Sequence, residues 1–214
     1  MIKSARLRLL CFGLPGLVLL AFVCSQTLIA NSKLVGYSPR EGDMVFQSVP
    51  RNDLVIAIEG VTQSKYSHCG IVVKEGVDWF VLEAIGPVTV TKLSDWIRRG
   101  RGAEYWVYRL TEQYTAKIPQ LIAKAKTFAG KPYDVRYRMD DERIYCSELL
   151  YKAFKDATSE ELGKPERLGD LNWKPFAKTI RKYEQGEPPL DRRIITPVGI
   201  TRSAQLKLVF DSTK

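Results

Sequence analysis

The amino-acid sequence predicts an α+β fold with paired antiparallel strands and a helix that begins at a cysteine. Two apolar runs, His68 to Lys74 and Trp79 to Ile85, flank the turn Glu75-Gly76-Val77-Asp78 and read as a pair of antiparallel strands. The run from Cys146 to about Ala157, preceded by Asp140-Asp141-Glu142, reads as a helix with the cysteine in its first turn. With 214 residues, 45% of them hydrophobic, the chain can bury a core without metals or disulfide staples.

The remaining elements follow in order. Residues 1–32 are compositionally separate: Lys3, Arg6 and Arg8 precede an uncharged stretch from Leu9 to Ser32, the pattern of an export signal. The stretch is about long enough to span a bilayer, but Gly13, Pro15, Gly16 and Ser25-Gln26-Thr27 weaken it as a permanent anchor, which favours cleavage. Val23 stands where a lipid-modified Cys24 would need a small residue. The expectation is an exported protein of the periplasm or cell envelope, with residues 1–32 as signal or N-terminal membrane anchor and residues 33–214 as one domain. Gly36 to Asp43 is turn-rich and leads into a short strand, Met44-Val45-Phe46. Asp53 to Ile58 is ambiguous between helix and strand by periodicity. Val88-Thr89-Val90 reads as a strand, Lys92 to Arg99 as a short helix beginning near Ser94, and Glu104 to Leu110 as an aromatic-rich strand. A helix from Ala116 to Ala129 is stopped by Gly130 and Pro132. Tyr133 to Met139 is a connector. Residues 158–200, with five prolines, read as short helices and loops, and strand-like pieces recur at Arg193-Ile194-Ile195 and Leu206 to Phe210.

The formal charge of +9 falls once Lys3, Arg6 and Arg8 are set aside, leaving 30 of the 33 basic residues against 24 acidic ones. The densest basic patch, Arg98-Arg99-Gly100-Arg101, lies at a predicted helix end, where cations complement the helix dipole, and reads as solvated surface. No aromatic residues interleave with it as base-stacking platforms would, so nucleic acid is not an expected partner. Cys11 and Cys24 belong to the N-terminal segment, which leaves Cys69 and Cys146 and no disulfide framework. A bridge between these two would silence a thiol site, but strand alternation puts His68 and Cys69 on opposite faces. If His68 faces the thiol, Cys69 faces the core.

The chain has one histidine, His68, within Tyr66-Ser67-His68-Cys69-Gly70. A strand-borne imidazole beside a thiol at a helix N-terminus is the arrangement of a cysteine hydrolase: the thiolate is the nucleophile, and the imidazole generates it and later protonates the leaving group. Counting back from the turn sets Val73 against about Phe80 and His68 against about Ile85, so Glu83 shares the face of His68 two positions away and can orient the ring. Glu83 between Leu82 and Ala84 would be a costly buried carboxylate unless paired. The helix dipole and an imidazolium both favour a Cys146 thiolate. Its backbone N–H is a candidate oxyanion donor, with Tyr145 or Tyr66 as a candidate side-chain donor. Asp43 is a candidate for recognising a substrate amine, against a plain turn role. One histidine falls short of a zinc ligand set, so no metal and no cofactor are expected.

Four segments carry a further signal: Gly42-Asp43-Met44-Val45-Phe46; Tyr66 to Val72; Val81 to Val88; and Gly130-Lys131-Pro132-Tyr133-Asp134 leading to Tyr145-Cys146-Ser147-Glu148-Leu149. In this order and spacing, over about residues 36–157, the chain resembles the permuted papain-like hydrolases of the YaeF/YiiX group, relatives of the NlpC cell-wall peptidases. The resemblance implies a circularly permuted NlpC-type fold with a curved antiparallel sheet on the nucleophile helix, and a helix at residues 53–58. It also implies Cys146 as nucleophile, His68 as base and Glu83 as orienter. An amide of a cell-wall peptide or a lipid-linked amide is then the expected substrate. Alternatives are a lipid ester hydrolase or acyltransferase, or a slow envelope module that binds peptide or acyl ligands. An apolar groove lined by the segment after Ala157 would favour an acyl substrate, and that segment is expected to shape specificity.

Overall fold

The computed structural model describes residues 36–214; the expected export segment, with Cys11 and Cys24, lies outside them. A six-stranded antiparallel sheet forms the centre in the order β4-β3-β2-β1-β5-β8. Its strands are β1 (Met44–Gln47), β2 (His68–Glu75), β3 (Asp78–Ala84), β4 (Val88–Lys92), β5 (Tyr105–Leu110) and β8 (Leu206–Asp211). A two-stranded ribbon joins β6 (Glu166–Arg167) to β7 (Arg193–Ile194). The helices are α1 (Asp53–Thr62), α2 (Leu93–Arg99), α3 (Ile118–Lys126), α4 (Cys146–Thr158), α5 (Ala177–Glu184) and α6 (Pro197–Thr201). Among the described residues no helix is long and apolar enough to cross a membrane.

The sheet is covered on both faces, which explains why β1 and the centre of β2 are apolar runs and not alternating patterns. Met44, Phe46, Cys69, Ile71 and Val73 pack with Leu121 and Ala125 of α3 and Leu149, Ala153 and Phe154 of α4. Val45, Val72, Val81 and Val107 turn the other way, onto Leu93, Trp96 and Ile97 of α2. Gly76, at φ +60°, makes the β2–β3 turn, and Val73 pairs with Phe80 as the count from the turn requires. The ambiguous segment at 53–58 is helix α1, capped by the Asn52 side chain, which accepts from the Val55 N–H at 2.9 Å. The predicted helix at 116–129 is shorter: a 3-10 turn occupies Glu112–Lys117, Pro119 sits in the first turn of α3, and after Lys126 the bonds tighten to the i→i+3 type.

Phe46 is fully buried in the layer between the sheet and α4. Phe46→Ala should therefore lower the unfolding free energy by about 3–5 kcal/mol, the range for truncating a core phenylalanine. Urea denaturation followed by circular dichroism measures it.

Candidate active site

The site forms where the N-terminus of α4 meets the first residue of β2. Tyr145, the N-cap, is extended (φ −102°, ψ 168°), and its N–H donates to the Glu148 carboxylate at 3.1 Å, so the helix begins at Cys146. Glu148 is buried and pairs with Lys152 at 2.8 Å, while Lys152 also holds Asp141 at 2.7 Å. Burial pushes the Glu148 carboxyl up to about 7 despite that lysine. Cys146 is 1% exposed and free of any disulfide.

His68 enters from β2 and is likewise buried. Its Nε2 lies 2.5 Å from Oε2 of Glu83, and the ring also interacts with the Cys146 thiol group. Continuing the β2–β3 register beyond Ile71–Leu82 sets Glu83 across from Gly70. A Cβ at Gly70 would stand 3.2 Å from that of Glu83 and closer still to Val81, so the glycine clears the path from the carboxylate to the ring. Glu83 is fully buried, accepts from Thr91 Oγ1 at 2.6 Å through Oε1, and receives Arg99 on the same Oε2 that His68 uses. Burial alone would raise the carboxyl, but His68 and Arg99 hold it down to about 2. Burial also works against a charged His68, yet its bonds to Cys146 and Glu83 push it up to about 9. The Cys146 thiol is lowered well below its ordinary value, through a hydrogen bond from Cys69 and the bond to His68, against desolvation. A thiolate–imidazolium pair behind a carboxylate is what these directions describe.

Sequence reasoning needs correction at four points. Cys69 does not face away from the thiol. It shares a buried cluster with Cys146 and hydrogen-bonds to it, because α4 packs on the face of β2 that Cys69 occupies, while His68 sits at the strand's very start. Asp43 is closed to a substrate amine: Arg109 grips both oxygens at 2.6 and 2.8 Å, and the Tyr37 hydroxyl and the Arg40 N–H take the rest. The candidate tyrosine donors are engaged elsewhere. The Tyr145 hydroxyl accepts from the Ile195 N–H at 3.0 Å, and Tyr66 hydrogen-bonds to Tyr108. The phenol beside the sulfur belongs to Tyr133, its hydroxyl 4.0 Å from Sγ and 3.4 Å from that of Tyr137. Tyr133 stands in the Gly130-to-Asp134 motif, the one sequence signal that could have singled it out. Finally, the basic patch is solvated surface only in part: Arg98 is exposed and pairs with Asp95 at the surface, but Arg99 reaches the buried Glu83 and Arg101 pairs with Glu59.

A papain-like core in which histidine and acid precede the cysteine defines a permuted papain-like hydrolase of the amidase type. The family model for the permuted papain-like amidases, YaeF/YiiX, C92 family, matches residues 38–210, and the chain belongs to that family. It is 31% identical to the uncharacterized protein YiiX of Escherichia coli K12 over 186 residues, covering 86% of this chain and 92% of that protein. The crystal structure of YiiX from Escherichia coli O157:H7, described there as a metalloprotein, superposes with a TM-score of 0.76 at 31% identity, over 82% of this chain and 98% of that one. A weaker match, 27% over 117 residues, is to protein transport protein SEC23 of Encephalitozoon cuniculi and covers 16% of it. Among the described residues of this chain no group of three or more His, Cys, Asp or Glu side chains is disposed to hold a metal ion.

The pKa directions set a pH dependence. Glu83, held near 2 in the fold against an ordinary 4.5, stabilises the protein fully above about pH 5, and that contribution is lost as pH falls toward 2. The stability difference between wild type and Glu83→Gln should then be greatest near pH 5 to 6, shrink steadily below pH 4.5 as Glu83 takes up its proton, and begin to shrink above about pH 6.5 as the His68 contribution fades. Denaturation midpoints across pH 3 to 7 measure it.

Proposed function

We propose that the protein is an exported thiol hydrolase that cleaves an amide bond through an acyl-enzyme on Cys146, with His68 as acid and base and Glu83 as its orienter. The observation that carries the reading is the buried interaction of the Cys146 thiol group with His68, whose Nε2 is held by Glu83. The thiolate attacks the carbonyl carbon, and the oxyanion faces the Cys146 backbone N–H at the start of α4, where helix N–H groups lack intrahelical partners. Tyr133 stands beside the sulfur as a second donor. The imidazolium gives its proton to the departing amine. Water, deprotonated by the neutral imidazole, then attacks the thioester, releases the acid and restores the ion pair.

Of the substrate classes, a lipid-linked amide has a specific feature in its favour. An apolar groove with about 690 Å³ of empty space, open solvent at its mouth included, runs between α1 and α5. Its walls include Ala57, Ile58, Ile180, Tyr183 and Ile195, so the segment after Ala157 supplies one side. Tyr137 also lines it and hydrogen-bonds to Tyr133, so the groove ends two side chains from the sulfur. A hydrocarbon tail fits walls of this kind, with its carbonyl at Cys146.

Wild type should be alkylated rapidly at Cys146 at pH 6, and His68→Ala should slow this by about 10²–10⁴-fold, the usual contribution of a positioned base. Turnover on a panel of acylated amides, esters and muropeptides should vanish in Cys146→Ala. Ile180→Trp should weaken turnover of long-chain substrates while sparing short-chain ones. Slow, ordinary thiol kinetics in the wild type would refute the hydrolase reading, and equal loss on short and long chains would refute the groove.

A further inference from the structure

We propose that Arg99 is a positioning residue for this reaction: it balances the charge of the buried Cys146, His68 and Glu83 set and so makes thiolate with imidazolium the resting form. The inference rests on the thiol chemistry proposed above and names a residue outside it. Arg99 closes α2, whose Trp96 and Ile97 are fully buried against the sheet. That packing fixes where the last residue of the helix can point. Its side chain, 28% exposed, passes from the surface to the fully buried Glu83 carboxylate and meets Oε2, the oxygen that also receives His68 Nε2.

The charge count explains why a cation is needed. Thiolate, imidazolium and carboxylate sum to one negative charge, and an unbalanced charge shielded from water is costly. With the guanidinium the four groups sum to zero. Without it, the least costly remedy is uptake of one proton, and the sulfur is where it goes: Glu83 stays committed to His68 and Thr91, so the imidazolium–carboxylate pair survives and the thiolate becomes a neutral thiol. A hydrogen bond without charge cannot do this, which separates Arg99 from Thr91. The other groups facing the site are Cys69 from β2, Tyr133 and Tyr137 from the segment before α4, and Tyr145 at the N-cap of α4, all of them neutral as proton donors, with the Glu148–Lys152 pair behind.

The test is the pH profile of Cys146 alkylation by iodoacetamide, read by peptide mass spectrometry so that Cys69 is scored separately. In Arg99→Gln the midpoint should move up by about one unit or more, which slows modification by about tenfold or more at pH values below the wild-type midpoint. Arg99→Lys should restore most of the wild-type profile, and Thr91→Val should leave the midpoint in place. Should R99Q fail to fold by circular dichroism, R99M takes its place. An R99Q or R99M midpoint equal to that of wild type overturns the assignment of Arg99 alone. A shift of the same size in T91V overturns the charge argument. A wild type that reacts only in the ordinary thiol range overturns the proposed chemistry and the role of Arg99 with it.

Discussion

A carboxylate without solvent access is the constraint around which this site is built. Glu83 sits near the end of β3 in a sheet covered on both faces, where an unpaired charge would cost several kcal/mol. Three donors from three elements meet it: His68 from β2, Thr91 from β4 and Arg99 from α2. Each can arrive only if the sheet register, the β3–β4 pairing and the docking of α2 are all correct. The fold and the proposed chemistry thus depend on one group, and the imidazole is oriented by the same satisfaction of hydrogen bonds that lets the core close.

The sheet also explains how one element can serve two layers. Along β2, alternate residues face α4 and α2, so consecutive positions carry different duties: Cys69 and Ile71 pack beneath α4, while Gly70 and Val72 face the layer of Trp96 and Glu83. His68 opens the strand and reaches both the acid and the sulfur from that end. Asp43 has a comparable structural task, fastening β1 to β5 through Arg109 and holding Tyr37 over the sheet.

Much of this was legible in the sequence because it is local or periodic. The β2–β3 register follows from one turn, and the apposition of His68 and Glu83 follows from the register. The helical start at Cys146 follows from its flanking residues, while the resemblance to the YaeF/YiiX group was the reason to make 53–58 a helix. What could not be read is what depends on how elements dock. Arg99 and Glu83 are 16 residues apart, and nothing in Arg98-Arg99-Gly100-Arg101 distinguishes the arginine that turns inward. Tyr133 and the two displaced tyrosine candidates differ only in where the segment before α4 lays its phenols. Cys69 was misplaced because alternation fixes faces relative to the strand, not to a helix terminus that can be approached from two directions.

The cover over the sulfur has an energetic character of its own. Tyr137 and Met139, neither of them glycine, hold left-handed backbone at φ 55° and 60°, and Tyr137 stands between the apolar groove and Tyr133. Such conformations cost of order 1–3 kcal/mol each and persist only while their surroundings enforce them. Because Tyr137 also meets the Tyr133 hydroxyl, a substitution that let its backbone relax would displace the phenol that stands beside the sulfur.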